Sequence, residues 1–355
     1  MDSKDNDESN KGMKSFHHIE NQEKIDILNK VADKKKMPPY AVEKDWWVTQ
    51  TLRILFDMEV GKHIVFKGGT SLSKGWNLIE RFSEDIDLAI DRSFLDFSKD
   101  LSRTQITKLR EETHEYVTTN LFKELQEKFA ENGLDGVKFQ TEKAKESDQD
   151  PTIIEIYYPN VIDSPGYIQN RVQIEMGCRS LKEPFQNLKI KSLIDEFLPD
   201  TPFTIPPFDV PTVLPTRTLL EKIFLLHEEF QKPKEKIRVD RLSRHLYDVF
   251  QLSKTTHAQD ALKDKDLYET IVKHRHKFTR ISRVDYNKHQ RTELSPYPTE
   301  EFIDGWKSDY ATMQEQMIYG ESPLYDDMIN SIKEFVDELK SVEWKMDTEF
   351  PISGA

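Results

Sequence analysis

The chain has 355 residues, enough for one large domain or two ordinary ones, and carries 51 Lys and Arg against 64 Asp and Glu for a net charge of −13. A single cysteine, Cys178, excludes an internal disulfide framework and a Cys-rich zinc site. No apolar run approaches the roughly 20 residues of a membrane span, and the charged opening residues lack the apolar stretch of a secretory signal, so a cytoplasmic protein without membrane contact is expected. In chain order, residues 1–14 read as a disordered tail. Helical spacing of Ile19, Ile25, Ile27, Leu28 and Val31 predicts a helix over 19–36, broken by Pro38 and Pro39. A second helix is expected from about Ala41 to Phe56. Then come a short strand at 63–66, a Gly-Gly turn, a helix at 71–79 and a strand at 85–90. One long amphipathic helix is expected over 103–131, a polar loop over 142–150, and strands at 137–141, 152–158 and 171–176.

Six prolines between 195 and 216 read as a crossing loop or linker. Beyond them the strand signal largely disappears, and helices are expected at 217–231, 240–253, 265–277, 298–318 and 324–341. The fold class is therefore α/β in the α+β sense: a mixed β-sheet core with flanking helices over 15–200, a Pro-rich linker at 201–216, and an α-helical domain from 217 to 355. Charge is uneven along it. Residues 217–292 hold 18 Lys and Arg against 11 Asp and Glu, and residues 293–355 hold 4 against 15. The basic block is either a phosphate-facing surface or a solvated helical face. The acidic end is a solvated face, a mask for the basic block, or a seat for a basic partner. The overall acidity argues against tight, indiscriminate nucleic-acid binding.

The stretch Phe66-Lys67-Gly68-Gly69-Thr70-Ser71-Leu72-Ser73-Lys74 places free backbone N–H groups between a strand and a helix, where glycines allow close approach and the helix start favours anions. Thr70 and Ser71 can cap that helix or bond a phosphate oxygen. The same pattern also serves as an ordinary strand-to-helix turn. It is not a P-loop, because Ser73 and Gly75 stand where that motif needs glycine and a hydroxyl residue. In the following Arg81-Phe82-Ser83-Glu84-Asp85-Ile86-Asp87-Leu88, strand alternation puts Asp85 and Asp87 on one face with Ile86 and Leu88 inward. Paired carboxylates repel, and Mg²⁺ between them satisfies both; a polar face on a half-buried strand is the alternative. In Arg171-Val172-Gln173-Ile174-Glu175-Met176, Glu175 completes a three-carboxylate cluster if this strand lies beside 85–90. Otherwise it is an exposed strand glutamate. Lys222 flanks a buried stripe on its helix, where a lysine either snorkels to solvent or binds an anion such as a triphosphate. Asp248 either pairs with Arg244 one turn away or orients Lys222 or a substrate group.

The succession GGTSLSK, RFSEDIDL, QIE, LLEK and R-x-x-R-H-x-Y-D resembles the AbiEii/AbiGii-type nucleotidyltransferases, toxins that include the MenT group and belong to the DNA-polymerase-β-like superfamily. The resemblance runs from Glu43-Lys44-Asp45-Trp46 to the Met317-Ile318-Tyr319-Gly320 stretch. It implies that Gly68, Gly69, Thr70 or Ser71, and Lys74 hold the phosphates of an NTP. It also implies that Asp85, Asp87 and Glu175 ligate Mg²⁺ in a possible two-metal site, that Lys222 contacts the triphosphate, and that Asp248 matches the family's late aspartate. Where family members carry an acid before the Tyr-Asp step, this chain has His245. The implied activity is transfer of NMP to an acceptor, in the MenT branch the tRNA 3′ end, within a toxin–antitoxin and phage-defence setting with a cognate antitoxin. The basic block is then the expected seat of an RNA backbone. Transfer to a protein, and NTP binding without transfer, are the competing functions. His274, His276 and His289 read as part of a cationic helix face rather than a metal site, and Cys178 as a small buried hydrophobe.

Overall fold

The computed structural model describes residues 15–83, 85–97, 100–142, 150–164, 169–178 and 184–351; the expected tail at 1–14 and most of the expected loop at 142–150 lie outside them. The elements are α1 (Asn21–Lys35), α2 (Pro39–Asp57), β1 (Ile64–Lys67), a helical turn α3 (Gly68–Thr70) continued by a π turn (Ser71–Gly75), β2 (Asp85–Ile90), α4 (Arg103–Tyr116), α5 (Phe122–Glu131), β3 (Lys138–Thr141), β4 (Thr152–Tyr157), β5 (Arg171–Gly177), β6 (Phe185–Ile190), α6 (Leu193–Phe197), β7 (Phe208–Val213), α7 (Pro215–Glu229), α8 (Ser243–Ser253), α9 (Thr256–Lys263), α10 (Lys265–His274), α11 (Ile303–Gln316) and α12 (Tyr325–Ser341). The seven strands form one mixed sheet in the order β3-β4-β5-β2-β1-β7-β6.

The chain divides into two compact units. One comprises Met1–Phe66, Glu84–Ser180 and Asn187–Pro211; the other comprises Lys67–Ser83, Leu181–Gln186 and Thr212–Ala355. In the first, α2 packs on α1, α5, α6 and β5, and its Trp46, Val48, Leu52 and Leu55 are buried. Ile86, Leu88, Ile154, Ile156, Val172, Ile174 and Met176 supply the apolar face of the central strands. In the second, α7 packs on α8, α9 and α10, and α8 on α11 and α12, around Leu219, Phe224, Leu246, Tyr247, Trp306 and Ile332.

Several expectations need correction. The Pro-rich segment is not a featureless linker, since it contains most of α6 and all of β7. Pro211 lies inside β7, a position that masks a strand in the sequence because proline cannot donate to a ladder. Pro215 instead opens α7, where a missing N–H costs nothing. β6 escapes the alternation test because only Ile190 of its residues is buried. α9 also goes unread, being short and buried through only Ala258, Ala261 and Leu262. The helix expected over 71–79 starts earlier and stops at Gly75, and Asn77 follows with a left-handed φ of 52°. The helix expected over 103–131 is interrupted by a π turn at Val117–Leu121, where Thr118 and Thr119 donate their hydroxyls back to the His114 and Glu115 carbonyls.

Candidate active site

β2 and β5 pair in parallel, with Asp85 opposite Gln173 and Asp87 opposite Glu175. Partners in register point to the same side, so the three acidic side chains share one face of the sheet, each half-buried, while Ile86, Leu88, Ile174 and Met176 fill the other. β4 extends that polar face: Ile153 lies opposite Glu175, and Glu155 opposite Gln173. The Gln173 amide donates to Glu175 Oε1 at 2.7 Å and orients that carboxylate. Arg171 pairs with Glu155, which also accepts from the Tyr157 hydroxyl at 3.0 Å. Among the described residues, the group of three metal-ligand atoms lying within 4.8 Å of one another is His17, His18 and Asp135. Asp85, Asp87 and Glu175 thus share a face without converging on one point. Their donor set consists only of carboxylate oxygens, which suits a hard divalent cation such as Mg²⁺.

The Gly-Gly turn belongs to the second unit. Gly68 has a φ of +76°, which lets the chain leave β1 directly into a helical turn. Gly69 has a different reason to be glycine. A Cβ there would lie 2.6 Å from Arg81 Nη2 and 2.7 Å from Ser83 Oγ, so the close approach it permits is that of the chain's own Arg81. Thr70 and Ser71 are buried, and neither side chain caps the turn; the Ser71 hydroxyl donates instead to the Gly68 carbonyl at 2.8 Å. Lys74 is half-buried at the end of the π turn.

Lys222 and Asp248 meet. Lys222 Nζ is 2.8 Å from Asp248 Oδ2 and 3.4 Å from His245 Nδ1, and its side chain is 10% exposed, so it does not snorkel. Asp248 does not pair with Arg244. Its two oxygens accept from Arg81 Nε and Nη2, both at 2.7 Å, in a bidentate fork. Burial works to raise the Asp248 pKa, but the charges and hydrogen bonds of Arg81 and Lys222 outweigh it and hold the carboxyl well below the usual range. His245 is driven the other way from protonation. Burial, then the Lys222 and Arg244 charges, lower its pKa well below that of a free histidine. The neutral imidazole can therefore accept from Lys222. Arg81 is the member of this charged cluster that sequence reading passes over. It stands in the RFSEDIDL motif, but its partner is 167 residues away and no local spacing links them.

Much of the basic block is already paired. Lys234 meets Glu301 and Lys265 meets Asp347, each at 2.6 Å, joining it to the acidic end. Arg275 forks onto buried Glu228, which also meets buried His289 at 3.2 Å. Burial alone would raise Glu228, yet Arg275 and His289 bring it down to about 2. Lys277, Arg280 and Arg283 stay exposed. Cys178 is buried. No helix among the described residues is long and apolar enough to cross a membrane.

Residues 52–348 match the family described as "Nucleotidyl transferase AbiEii toxin, Type IV TA system". No curated protein matches. Among solved structures, MenT4, a nucleotidyltransferase toxin from Mycobacterium tuberculosis H37Rv, is similar at 15% identity, with 89% of this chain and 99% of that chain covered and a TM-score of 0.45. JHP933 from Helicobacter pylori is similar at 15% identity, with 85% and 90% covered and a TM-score of 0.37. The family match spans most of the sequence and takes in the D-x-D strand, Glu175, Lys222 and Asp248, and the chain belongs to the AbiEii family: it is a nucleotidyltransferase, a toxin of a type IV toxin–antitoxin system, with an NTP as substrate and an antitoxin as partner.

Proposed function

We propose that this enzyme transfers NMP from an NTP to the 3′ end of a tRNA, with Mg²⁺ held by Asp85, Asp87 and Glu175. The observation that carries the reading is the register of β2 on β5, with Asp87 beside Glu175 and Asp85 two residues away on the same face. Acids that share one face repel one another, and a divalent cation drawing them together offsets that repulsion. When bound, Mg²⁺ supplies charge neutralisation at the phosphoryl oxygens and at the leaving pyrophosphate. In the reaction the acceptor hydroxyl oxygen bonds to the α-phosphorus, the bridging α–β P–O bond breaks, and pyrophosphate departs. A carboxylate of the Asp85–Asp87 pair receives the hydroxyl proton.

Lys222 is assigned to the triphosphate. Its ammonium has three N–H donors; Asp248 and His245 take two, which fixes the direction of the third. Asp248 is then a positioning residue acting through Lys222. Gly68, Gly69, Thr70, Ser71 and Lys74 are assigned to phosphate contacts, and exposed Lys277, Arg280 and Arg283 to an RNA backbone. The test is incubation of the protein with Mg²⁺, total tRNA and each α-³²P-labelled NTP in turn. Labelled RNA from one NTP, absent for Asp87→Ala, is the expected result. A labelled protein band in its place moves the acceptor to protein. No label on either overturns the transfer reading and leaves an NTP-binding toxin.

A further inference from the structure

The first unit holds a cluster of metal-ligand side chains that nucleotidyl transfer does not use. His17 Nε2 lies 2.7 Å from Asp135 Oδ1 and 3.1 Å from the Asp135 carbonyl oxygen, and His18 Nε2 lies 4.0 Å from the same Oδ1. A tetrahedral zinc ion with bonds of about 2.0–2.2 Å keeps its ligand atoms roughly 3.3–3.6 Å apart. The observed separations straddle that value, so small ring rotations would bring all three to an ion.

The surroundings hold these groups in place. Ser15 starts the short turn Phe16–His18 by accepting from the His17 N–H, and buried Phe16 packs against Trp46 and Phe203 with ring centroids 5.4 and 5.7 Å away. The His17 ring lies against Trp46 and Trp47 and is only 9% exposed. Its Nε2 is the ring atom turned toward Asp135, so that nitrogen is the one presented to an ion. On the opposite side, the chain leaves α5 through Gly133 at φ +68°. A Cβ there would lie 3.1 Å from His18 Cε1, so glycine leaves room for that imidazole. Asp135 follows two residues later, 80% exposed.

We propose that His17, His18 and Asp135 form a structural site for a borderline divalent metal of the zinc class, completed by water, that clips the turn at 16–18 to the loop between α5 and β3. Imidazole and carboxylate donors in this ratio suit such an ion and not Mg²⁺. The plain alternative is a His17–Asp135 ion pair in which His18 has no part.

His18 separates the two, because its side chain is 48% exposed and can be removed without opening the core. The experiment is calorimetric titration of the full-length protein with ZnCl₂ at pH 7.5 and saturating Mg²⁺, for the wild type, His18→Ala, Asp135→Asn and Asp87→Ala, with thermal melts in Zn²⁺ and in EDTA. The expected result is one equivalent bound with micromolar or tighter Kd, weakened at least about tenfold in His18→Ala and Asp135→Asn and unchanged in Asp87→Ala. Zn²⁺ should raise Tm for the wild type and Asp87→Ala, and EDTA should reverse the rise. Binding only at millimolar Zn²⁺, no saturable binding, or wild-type affinity in His18→Ala would overturn the site.

Discussion

Asp87 and Asp248 are both aspartates of motifs visible in the sequence, but their environments differ. Asp87 is half-buried on a sheet face, and its neighbour in register is a second acid, Glu175. Asp248 is fully buried, with a guanidinium on both oxygens and an ammonium on one. The first arrangement concentrates like charge where a cation from solution can reach it. The second balances charge internally and fixes a lysine in space. Substitutions should therefore separate function from stability. Changes on the sheet face should cost activity and spare the fold, whereas changes around Asp248 should cost both.

The largest expected effect is on transfer. Asp87→Asn should lower labelled-NMP transfer by about 10³-fold. Its Tm should change far less than that of Asp248→Ala, because Asp87 is half-buried and Asp248 fully buried. A large drop in Tm would break the contrast with Asp248. Next comes Asp248→Ala, which leaves Arg81 and Lys222 buried without their counter-ion. Urea unfolding should show a loss of about 3–5 kcal/mol. A loss below about 1 kcal/mol would mean that the Arg81–Asp248 fork contributes no more than a surface pair.

Gly69→Ala probes the same buried cluster from the backbone, since its new Cβ presses on Arg81, which Asp248 holds in place. A destabilisation of about 1–3 kcal/mol is expected by denaturant titration, larger in the wild-type background than in Arg81→Met. Equal costs in both backgrounds would place the strain elsewhere.

The smallest effect is in pH dependence. The folded-state pKa of His245 is lowered by burial, so below about 6.5 the unfolded chain binds a proton that the folded one refuses. Its contribution is present above that pH and is lost as pH falls. His227, brought down to about 4 by burial and by His289, acts in the same sense. Asp248 adds no slope there, because its stabilisation is lost only below the unfolded carboxylate range of about 4. Between pH 6.5 and 5 the stability should therefore fall by up to about 1.4 kcal/mol per pH unit for each histidine. His245→Gln should remove its own share of that slope, up to about 1.4 kcal/mol per pH unit. An unchanged slope would show that His245 is protonated in the folded protein.

Much of the sheet face was legible because strand alternation is a local rule. Ile86 and Leu88 mark the buried side, so Asp85 and Asp87 must share the other, and the same reasoning places Glu175 on its own strand. The strand that carries Pro211 and the mostly exposed β6 were not legible, since the pattern depends on which neighbour covers each face. Thr70 and Ser71 do not act as caps because the helical turn already starts at Gly68, which puts both residues inside it rather than before its first free N–H groups.

Residue order alone sets the composition class, the order of helices and strands around the chemistry, the carboxylate pair on its strand, and the motifs by which the family is recognised. Each of these rests on spacing within a few residues, where backbone geometry leaves little choice. Folding is what sets Asp87 beside Glu175, Arg81 rather than Arg244 on Asp248, and Lys222 in its buried place between Asp248 and His245. Those pairings join residues far apart in the chain. What selects them is the cost of leaving a buried charge uncompensated, which no local pattern records.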